Sequence, residues 1–404
     1  MTSLRFFAPV RKLVHFGILM FAPDPTANFG GRAVDPDESW PQATPESVGL
    51  DSSTILSLDA DLASGKYPYV DSMLIIRCGK NVYERSYPHN YAKIYHQEAH
   101  TKGPLNARLT GIYNYFDPQY HPYYEGSDLH TMQSITKTVT SVIMGIAMGR
   151  GEFHMGLDTP ILQFFDIPRI MNLDDRKRRI TLRDLLTMRS GLDWEEDVPY
   201  NDPRNGSSAM EASDDWVQFV IDRPMAHEPG TFFAYSSGVS QLLGYIFQRA
   251  TGQDIETYAI EHLFKPLGFQ RHYWKHTPLG LVDTQGGLYL RPHDLAKIGD
   301  IYLHDGMWNA RRIVFGDWIR QSITPSTDAR LEMKYGFQWW LIPYGPAQER
   351  LAWAALGLGG QRLLVLPEDE LIMVFTGWNI LAESSLNSRE VIARISQAMR
   401  PLAR

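Results

Sequence analysis

Residues 131–151 read TMQSITKTVTSVIMGIAMGRG, and this stretch predicts a buried helix with two unexpected polar residues at its start. Apolar side chains recur at spacings of three and four residues between positions 139 and 147, which is the pattern of one helical face. Ser134 and Lys137 stand three residues apart, just before that face. Because residues at i and i+3 share a helical face, we expect the lysine amine to lie beside the serine hydroxyl.

A serine and a lysine in this arrangement can perform acyl transfer. A serine hydroxyl is a poor nucleophile unless an adjacent base takes its proton. A lysine amine ordinarily keeps its proton at neutral pH, and burial beside a cleft favours the uncharged form that can act as a base. The free N–H groups at a helix start also stabilise the oxyanion formed on an attacked carbonyl. Ser134 is therefore a candidate nucleophile and Lys137 a candidate base.

The same two residues also fit a purely structural role. About one S-x-x-K tetrapeptide is expected by chance in a chain of this length, so the motif alone is weak. In the structural alternative, Ser134 caps the helix and Lys137 reaches solvent from the first turn. The pair is nevertheless the only S-x-x-K in the sequence, and it opens the most apolar helix.

A second segment, EPGTFFAYSSGVSQLLGYIF at 228–247, places a tyrosine just before another apolar helix. The hydroxyl of Tyr235 could relay protons between a nucleophile, a leaving group and Lys137. The alternative is a core tyrosine whose hydroxyl is satisfied by hydrogen bonds, with Ser237 as the helix cap.

A third segment, WAALGLGGQRLLVLP at 353–367, combines a strand pattern with three glycines. Glycines beside a strand allow the backbone to approach a ligand closely. Gly357 and Gly359 flank Leu358, whose backbone N–H is a candidate second donor to an oxyanion. The alternative is a glycine-rich strand end with no chemical role.

Strand patterns lie near both ends of the chain, with a mostly helical stretch between them. One hairpin is predicted at 72–88 with its turn at 79–81, and a second at 361–379 with its turn at 367–369. A further strand is predicted at 335–342, and a last helix at 388–399. This order predicts an α/β (α+β) fold: an antiparallel sheet built from both chain ends, flanked by helices, with an inserted mainly helical domain.

The predicted domain organisation follows from that order. Residues 1–44, rich in Pro, Gly and Asp, are expected to form an N-terminal arm or leader. Residues 45–404 then form the main domain. Within it, 45–130 and 285–404 make a sheet lobe and 131–284 a helical lobe, so a ligand cleft is expected between the lobes.

Composition excludes several classes of function. The net charge of −7 and the lack of a long basic run argue against a nucleic-acid partner. No apolar run is long enough for a membrane span, and a single cysteine, Cys78, cannot form an internal disulfide. HQEAH at 96–100 lacks the spacing of a zinc protease, and no phosphate-binding loop occurs, so no metal and no cofactor are predicted.

The N-terminal residues bear on the cellular location of the protein, because a secretion signal would lie there. Residues 1–27 have a basic start and a short apolar stretch, but His15 interrupts the stretch and no clean cleavage site follows. A cytoplasmic protein is favoured, and a secreted or periplasmic one stays open if residues 1–27 act as a signal.

Together and in this order, the three segments resemble serine hydrolases with a penicillin-recognising (β-lactamase/DD-peptidase-like) fold. That group includes class C β-lactamases, D-alanyl-D-alanine carboxypeptidases, carboxylesterases and 6-aminohexanoate-dimer hydrolase. SITK at 134–137 matches the first motif of the group, and YSS at 235–237 matches its tyrosine motif. The resemblance implies Ser134 as the acylated nucleophile, Lys137 as its base and Tyr235 as the proton relay.

Two departures from the family pattern bear on the substrate. Residues 355–357 read ALG where lactamases and peptidases carry Lys-Thr-Gly or His-x-Gly, so no cation is expected there to hold a substrate carboxylate. Ser237 replaces the usual asparagine. The GxGGQ form at 357–361 and SGLDW at 190–194 resemble the esterase and 6-aminohexanoate-dimer hydrolase branch. Further candidate substrate contacts are Ser237, Asp193, Trp194 and Glu195, although the last three also fit a capped helix end followed by loop charges.

The leading prediction is a hydrolase that cleaves a small-molecule ester or amide through an acyl-Ser134 intermediate. D-alanyl-D-alanine carboxypeptidase or β-lactamase activity, and a non-catalytic ligand-binding relative, remain alternatives because a fold alone does not fix function. The natural substrate and the oligomeric state stay open.

Overall fold

The computed structural model describes residues 40–382 and 384–400. The possible signal at residues 1–27, and all but the last five residues of the predicted arm at 1–44, lie outside the described residues. The five that are described lie against the main domain. Within them, Trp40 is buried and packs edge-on against Trp308.

Strands come from both ends of the described chain. The strands of the described residues are β1 to β13, in chain order Val70–Arg77, Lys80–Ser86, His130–Thr131, Tyr273–Trp274, Leu288–Leu290, Met307–Trp308, Arg311–Arg312, Thr327–Asp328, Lys334–Tyr335, Trp340–Tyr344, Arg350–Gly357, Gln361–Leu366 and Leu371–Gly377. Eight of them form one antiparallel sheet in the order β2-β1-β13-β12-β11-β10-β9-β8. Strand β1 pairs with β13, so the sheet joins the two ends of the chain and confirms the predicted fold class.

Ten of the twelve α-helices in the described part of the chain lie between the two groups of sheet strands. They are α1 to α12, in chain order Ser52–Ala63, Tyr91–Ile94, Ile135–Gly149, Asp175–Arg178, Leu182–Leu186, Gly206–Ala212, Trp216–Ile221, Ser237–Thr251, Ile255–Ala259, Pro292–Leu303, Gly316–Ser322 and Ser388–Gln397. The helices α10 and α11 fall inside the range 285–404 that was assigned to the sheet lobe, and the division into two lobes stays a prediction. No helix in the described part is both long and apolar enough to cross a membrane.

The central helix is α3, the one predicted from the opening segment. Every residue from Ile135 to Ala147 is buried, so this helix has no solvent-facing side over most of its length. It contacts strands β11 and β12 as well as α8, α9 and α11. A helix buried on all sides has a fixed position, and its first turn therefore holds whatever side chains it carries at a defined point.

The first hairpin differs from the prediction in its turn. The turn lies at Cys78 and Gly79, whereas Lys80 and Asn81, which were predicted to belong to it, already form strand β2. Both turn residues have positive φ, 50° for Cys78 and 68° for Gly79. A two-residue turn of this kind matches the twist of the flanking strands, which explains why it is preferred over the longer loop.

The strand predicted at 335–342 is also only partly correct. Tyr335 ends β9 and pairs with Trp340, the first residue of β10, so the segment is a hairpin. Gln338 lies in the turn with φ of 62°, and its N–H donates to the Leu186 carbonyl at 3.1 Å. The second predicted hairpin is confirmed, with β12 and β13 joined by a turn at Pro367–Asp369.

The long irregular region at 88–130 covers one end of the sheet with aromatic side chains. Its buried residues pack together with Trp378, which directly follows β13, in a second apolar cluster of Tyr91, Tyr95, Leu105, Tyr115, Phe116 and Trp378. The indole of Trp378 donates to the Tyr115 carbonyl at 3.0 Å. This cluster fixes the irregular region near the start of α3.

Candidate active site

Ser134 directly precedes α3 and does not cap it. Its hydroxyl accepts no N–H from the first turn, so the structural alternative of a capping serine is wrong. The preceding residue, Gln133, has φ of 48°, a left-handed conformation that is uncommon for residues other than glycine. Such backbone strain concentrates at functional sites, where it holds a side chain in a required direction.

Lys137 points back from the first turn of α3 to that serine. Its Nζ amine donates to Ser134 Oγ at 2.8 Å and to the carbonyl of Gln285 at 2.7 Å. The side chain is 1% exposed, so the alternative in which it reaches solvent is also wrong. A buried amine held on a serine hydroxyl is the geometry that activation of a serine nucleophile requires.

Tyr235 lies beside this pair. Lys137 Nζ is 5.3 Å from the centroid of the Tyr235 ring, which stacks on Trp340 at a centroid distance of 5.3 Å. The ring is buried, yet its hydroxyl hydrogen-bonds to no other residue of the described part of the chain. A core tyrosine normally satisfies its hydroxyl, and this one instead remains available to a ligand or a proton.

A cation that the sequence did not point to also contacts Tyr235. The guanidinium of Arg330 lies 5.3 Å from the ring centroids of both Tyr235 and Trp340, and it pairs with Asp197 at 2.6 Å. Nothing in the sequence marks Arg330, because it lies outside the three motif segments and comes close to Tyr235 only through the fold.

The described residues form a small cleft at Ser134. Its walls come from the irregular region, the start of α3, helix α6 and the end of β11. The lining residues are Leu105, Tyr115, Gln133, Ser134, Tyr200, Ser207, Ser208, Glu211, Gln285 and Leu358. Most of them are polar but uncharged, which suits a small molecule with several hydrogen-bonding groups.

The third sequence segment reaches this cleft at the end of β11. A Cβ on Gly357 would lie 2.4 Å from the Met132 carbonyl oxygen, so the strand end is pressed against the chain just before the nucleophile. Gly359 has φ of 84° and packs against the Trp378 ring. Leu358, between the two glycines, lines the cleft.

Two backbone N–H groups at the cleft have no protein acceptor. In the described part of the chain, the N–H groups of Ser134 and Leu358 donate no hydrogen bond to a backbone or side-chain acceptor. An N–H group that faces a cleft without a protein acceptor can donate to a ligand bound there. Paired N–H groups of this kind serve as an oxyanion hole in acyl transfer, which is the role predicted for Leu358.

The loop that follows α5 carries Asp193, Trp194 and Glu195, which were expected to contact a substrate. Asp193 is exposed and lies 3.7 Å from Arg223, and Glu195 is exposed and accepts the N–H of Asp197 at 2.8 Å. Neither carboxylate lines the cleft, so the expected contact with a substrate is not supported for either. Trp194 is half-buried and packs beneath α6 and α8, where a Cβ on Gly206 or Gly238 would strike its ring.

Glu196 is the residue of this loop that sequence reasoning missed. It is buried, and its carboxylate accepts hydrogen bonds from the Trp194 indole at 2.7 Å, the Tyr200 hydroxyl at 2.8 Å and the Ser237 hydroxyl at 2.6 Å. The Ser237 N–H donates to it as well, at 2.7 Å. Glu196 therefore anchors Tyr200, a cleft residue, to the start of α8.

Ser237 thus neither caps α8 nor faces the cleft. The cap of α8 is Ser236, whose hydroxyl accepts the Val239 N–H at 3.2 Å. Where the related enzymes carry asparagine, this chain carries Ser237, which holds the buried Glu196 carboxylate. The predicted helix cap and the predicted substrate contact at Ser237 are both corrected by this arrangement.

Replacing Ser237 with alanine is expected to lower the free energy of unfolding by about 1.5–3 kcal/mol, because a hydrogen bond to a buried charged group is lost. Urea denaturation measures the change, and Ser236→Ala is the matched control with about 1 kcal/mol expected for loss of a helix cap. An equal or smaller effect of Ser237→Ala than of Ser236→Ala would contradict the role given to Glu196.

A sequence comparison shows the family of this chain. Residues 70–377 match the family described as Beta-lactamase. Monacolin J acid methylbutanoyltransferase of Aspergillus terreus is 27% identical over 180 residues, which are 42% of this chain and 40% of that protein. The 6-aminohexanoate-dimer hydrolase of Paenarthrobacter ureafaciens is 22% identical over 293 residues, 64% of this chain and 69% of that protein. This chain thus spans less than half the length of the Aspergillus relative.

A solved structure extends the likeness to the fold. The D-stereospecific amidohydrolase from a Streptomyces species superposes with a TM-score of 0.59 at 16% identity, covering 84% of this chain and 97% of that one. At this identity the likeness concerns the fold alone. The family match, however, covers most of the chain, from the first strand of the sheet to the last. The chain belongs to the beta-lactamase family.

Proposed function

We propose that this protein is a serine acyl hydrolase that cleaves a small-molecule ester or amide through an acyl-Ser134 intermediate. The observation that carries the proposal is the 2.8 Å hydrogen bond between Lys137 Nζ and Ser134 Oγ beside the cleft. Membership of the beta-lactamase family supports it, because the relatives include proteins named as hydrolases.

Each of the three side chains has a step in the proposed reaction. Lys137 takes the proton of Ser134 as its oxygen attacks the carbonyl carbon of the substrate. The N–H groups of Ser134 and Leu358 stabilise the resulting oxyanion. Tyr235, whose ring lies 5.3 Å from the lysine amine, relays a proton to the leaving group. Water then hydrolyses the acyl-Ser134 ester and regenerates the serine.

The lining of the cleft favours neutral esters or amides over substrates that carry a carboxylate. Residues 355–357 supply no cation at the end of β11, and the Arg330 guanidinium, which contacts Tyr235, is paired with Asp197. A carboxylate bound without a partner in a half-buried cleft would lose its hydration without compensation.

The substrate preference is tested with p-nitrophenyl butanoate and the chromogenic cephalosporin nitrocefin. The protein is expected to hydrolyse the ester with at least a tenfold higher kcat/KM than nitrocefin, and Ser134→Ala is expected to remove both activities. Faster hydrolysis of nitrocefin would contradict the ester preference. Activity that survives in Ser134→Ala would contradict the proposed nucleophile.

A further inference from the structure

A carboxylate that the reaction described above does not use lies in the same cleft as the nucleophile. Glu211, near the end of α6, is the one acidic residue among the described residues that line the cleft with Ser134. No motif in the sequence marks it. Its neighbours in the cleft wall are hydroxyl, amide and apolar groups, so it carries the main negative charge that faces a bound ligand.

The two oxygens of this carboxyl have different surroundings. Oε1 accepts a hydrogen bond from the Tyr115 hydroxyl at 2.7 Å and another from the Gln285 side-chain amide at 2.8 Å. Oε2 accepts no hydrogen bond from any other residue in the described part of the chain. The carboxyl group is therefore held in place through one oxygen, and the other is available to a molecule in the cleft.

Glu211 is also linked to the nucleophile by a single residue. The side-chain amide of Gln285 donates to Glu211, and its backbone carbonyl accepts a hydrogen bond from the Lys137 amine at 2.7 Å. The carboxyl group and the amine that contacts Ser134 are therefore both hydrogen-bonded to the same residue, and both Gln285 and Glu211 line the cleft. A molecule small enough to occupy the cleft beside Ser134 is thus within reach of Glu211.

The surroundings of Glu211 suit a proton acceptor that works at neutral pH. Burial raises the pKa of this carboxyl to about 7, with the Lys275 ammonium opposing the change and the Asp283 carboxyl adding to it. The other groups that face it are the hydroxyls of Tyr115 and Tyr113, and burial raises the pKa of both phenols well above their ordinary value. Of these groups Glu211 and Tyr115 line the cleft, and Glu211 is the one of the two whose pKa lies near 7.

Hydrolysis of the acyl-Ser134 intermediate needs a base for water. The leaving group of an ester such as p-nitrophenyl butanoate departs as an anion and needs no proton through Tyr235, so Lys137 keeps the proton it took from Ser134 and cannot accept a second one. We propose that Glu211 is the base that deprotonates the water that hydrolyses acyl-Ser134. The inference rests on the proposed function, since it concerns the second half of the same reaction.

Deacylation begins when water attacks the acyl carbon of acyl-Ser134. The water oxygen forms a bond to the acyl carbon while one water proton moves to Glu211 Oε2, and the carbonyl electrons move to the oxyanion. The oxyanion then re-forms the carbonyl, and the bond between the acyl carbon and Ser134 Oγ breaks. Ser134 Oγ takes back the proton held by Lys137. The carboxylic acid product leaves, and Glu211 releases its proton to solvent.

Rapid mixing of the protein with p-nitrophenyl butanoate separates the two half-reactions. In Glu211→Gln we expect an initial burst of one p-nitrophenolate per protein at the unchanged rate, followed by turnover slowed about 100-fold or more. Intact mass spectrometry is expected to show a butanoyl adduct accumulating in this variant. Glu195→Gln, which neutralises an exposed carboxylate outside the cleft, is the matched control and is expected to behave like the unmodified protein.

The pH dependence and a second variant separate proton transfer from a structural role. The deacylation rate of the unmodified protein is expected to rise as pH passes through about 7, because the ionised form of Glu211 is the active one, and this rise should vanish in Glu211→Gln. Glu211→Asp keeps a carboxylate in the cleft and is expected to recover part of the rate. Thermal melts show whether either variant is unfolded.

The burst and the steady-state turnover together separate a failure of Glu211 as the base from a failure of the acyl-Ser134 intermediate. A burst in both proteins followed by equal turnover would contradict the role of Glu211 while leaving the acyl intermediate intact. Equal slowing of burst and turnover would also contradict it, because Glu211 would then act only by holding Gln285 and Lys137. Absence of any burst or adduct in both proteins would contradict the acyl-Ser134 intermediate itself and, with it, this step.

Discussion

Replacing Lys137 with methionine is expected to lower kcat/KM for p-nitrophenyl butanoate by about 100- to 10,000-fold, the usual contribution of a positioned general base. Methionine has a similar length and no proton to exchange, and the site is 1% exposed, so the apolar side chain should fit. The loss is expected in kcat, because the amine contacts Ser134 Oγ and acts in the reaction that follows substrate binding.

The chain offers a matched control for this variant. Lys177 is also fully buried, and its ammonium donates to the backbone carbonyls of Ile221 at 2.8 Å and Met171 at 3.1 Å. It does not line the cleft. Lys177→Met should therefore disturb folding about as much as Lys137→Met while leaving kcat/KM within about twofold, an expectation that follows from the lack of contact with reacting groups. Equal loss of activity in the two variants would show that activity depends on having a buried lysine and not on the contact of that lysine with Ser134.

Replacing Gly357 with alanine is expected to lower kcat by about 100- to 1,000-fold, the effect of losing one oxyanion donor. The added Cβ would lie 2.4 Å from the Met132 carbonyl oxygen, which is backbone and cannot move aside without shifting the chain that leads into Ser134. Either the strand end or that chain must move, and this displaces the N–H groups of Ser134 and Leu358, the two proposed oxyanion donors. Steady-state kinetics with the butanoate ester measures the loss.

A glycine next to the same helix start provides the control for Gly357→Ala. A Cβ on Gly286 would have its nearest contact at 3.8 Å, an ordinary packing distance, with the side chain of Gln133. Gly286→Ala is therefore expected to keep kcat within about threefold, because nothing has to move. If Gly357→Ala retained full activity, the position of Leu358 could not be critical for catalysis.

The sequence predicted the parts of the fold that depend on local pattern. The apolar spacing of α3, the hairpin of β12 and β13 and the helix at Ser388–Gln397 all follow from periodicity and turn residues that lie close together in the chain. The errors concern turns. Cys78 and Gln338 adopt positive φ although neither is glycine or asparagine, so residue type gave no signal that the chain reverses there.

The site was predictable only where its residues are close in sequence or match a known motif. Ser134 and Lys137 are one helical turn apart, and Leu358 lies between glycines. Glu196 and Glu211, by contrast, have partners far away in sequence, such as Ser237 for the first and Gln285 for the second. Their roles depend on which loop packs against which helix, and no local pattern carries that information.

The residue to which a fluorophosphonate probe bonds in the folded protein tests most directly whether Ser134 is an activated nucleophile. Such a probe forms a stable bond only with a serine whose hydroxyl is activated by a neighbouring base. We predict one adduct per chain, mapped by peptide mass spectrometry to Ser134 and absent from both Ser134→Ala and Lys137→Met. A folded protein that remains unlabelled, or an adduct on any other serine, would contradict the claim that the buried amine activates Ser134.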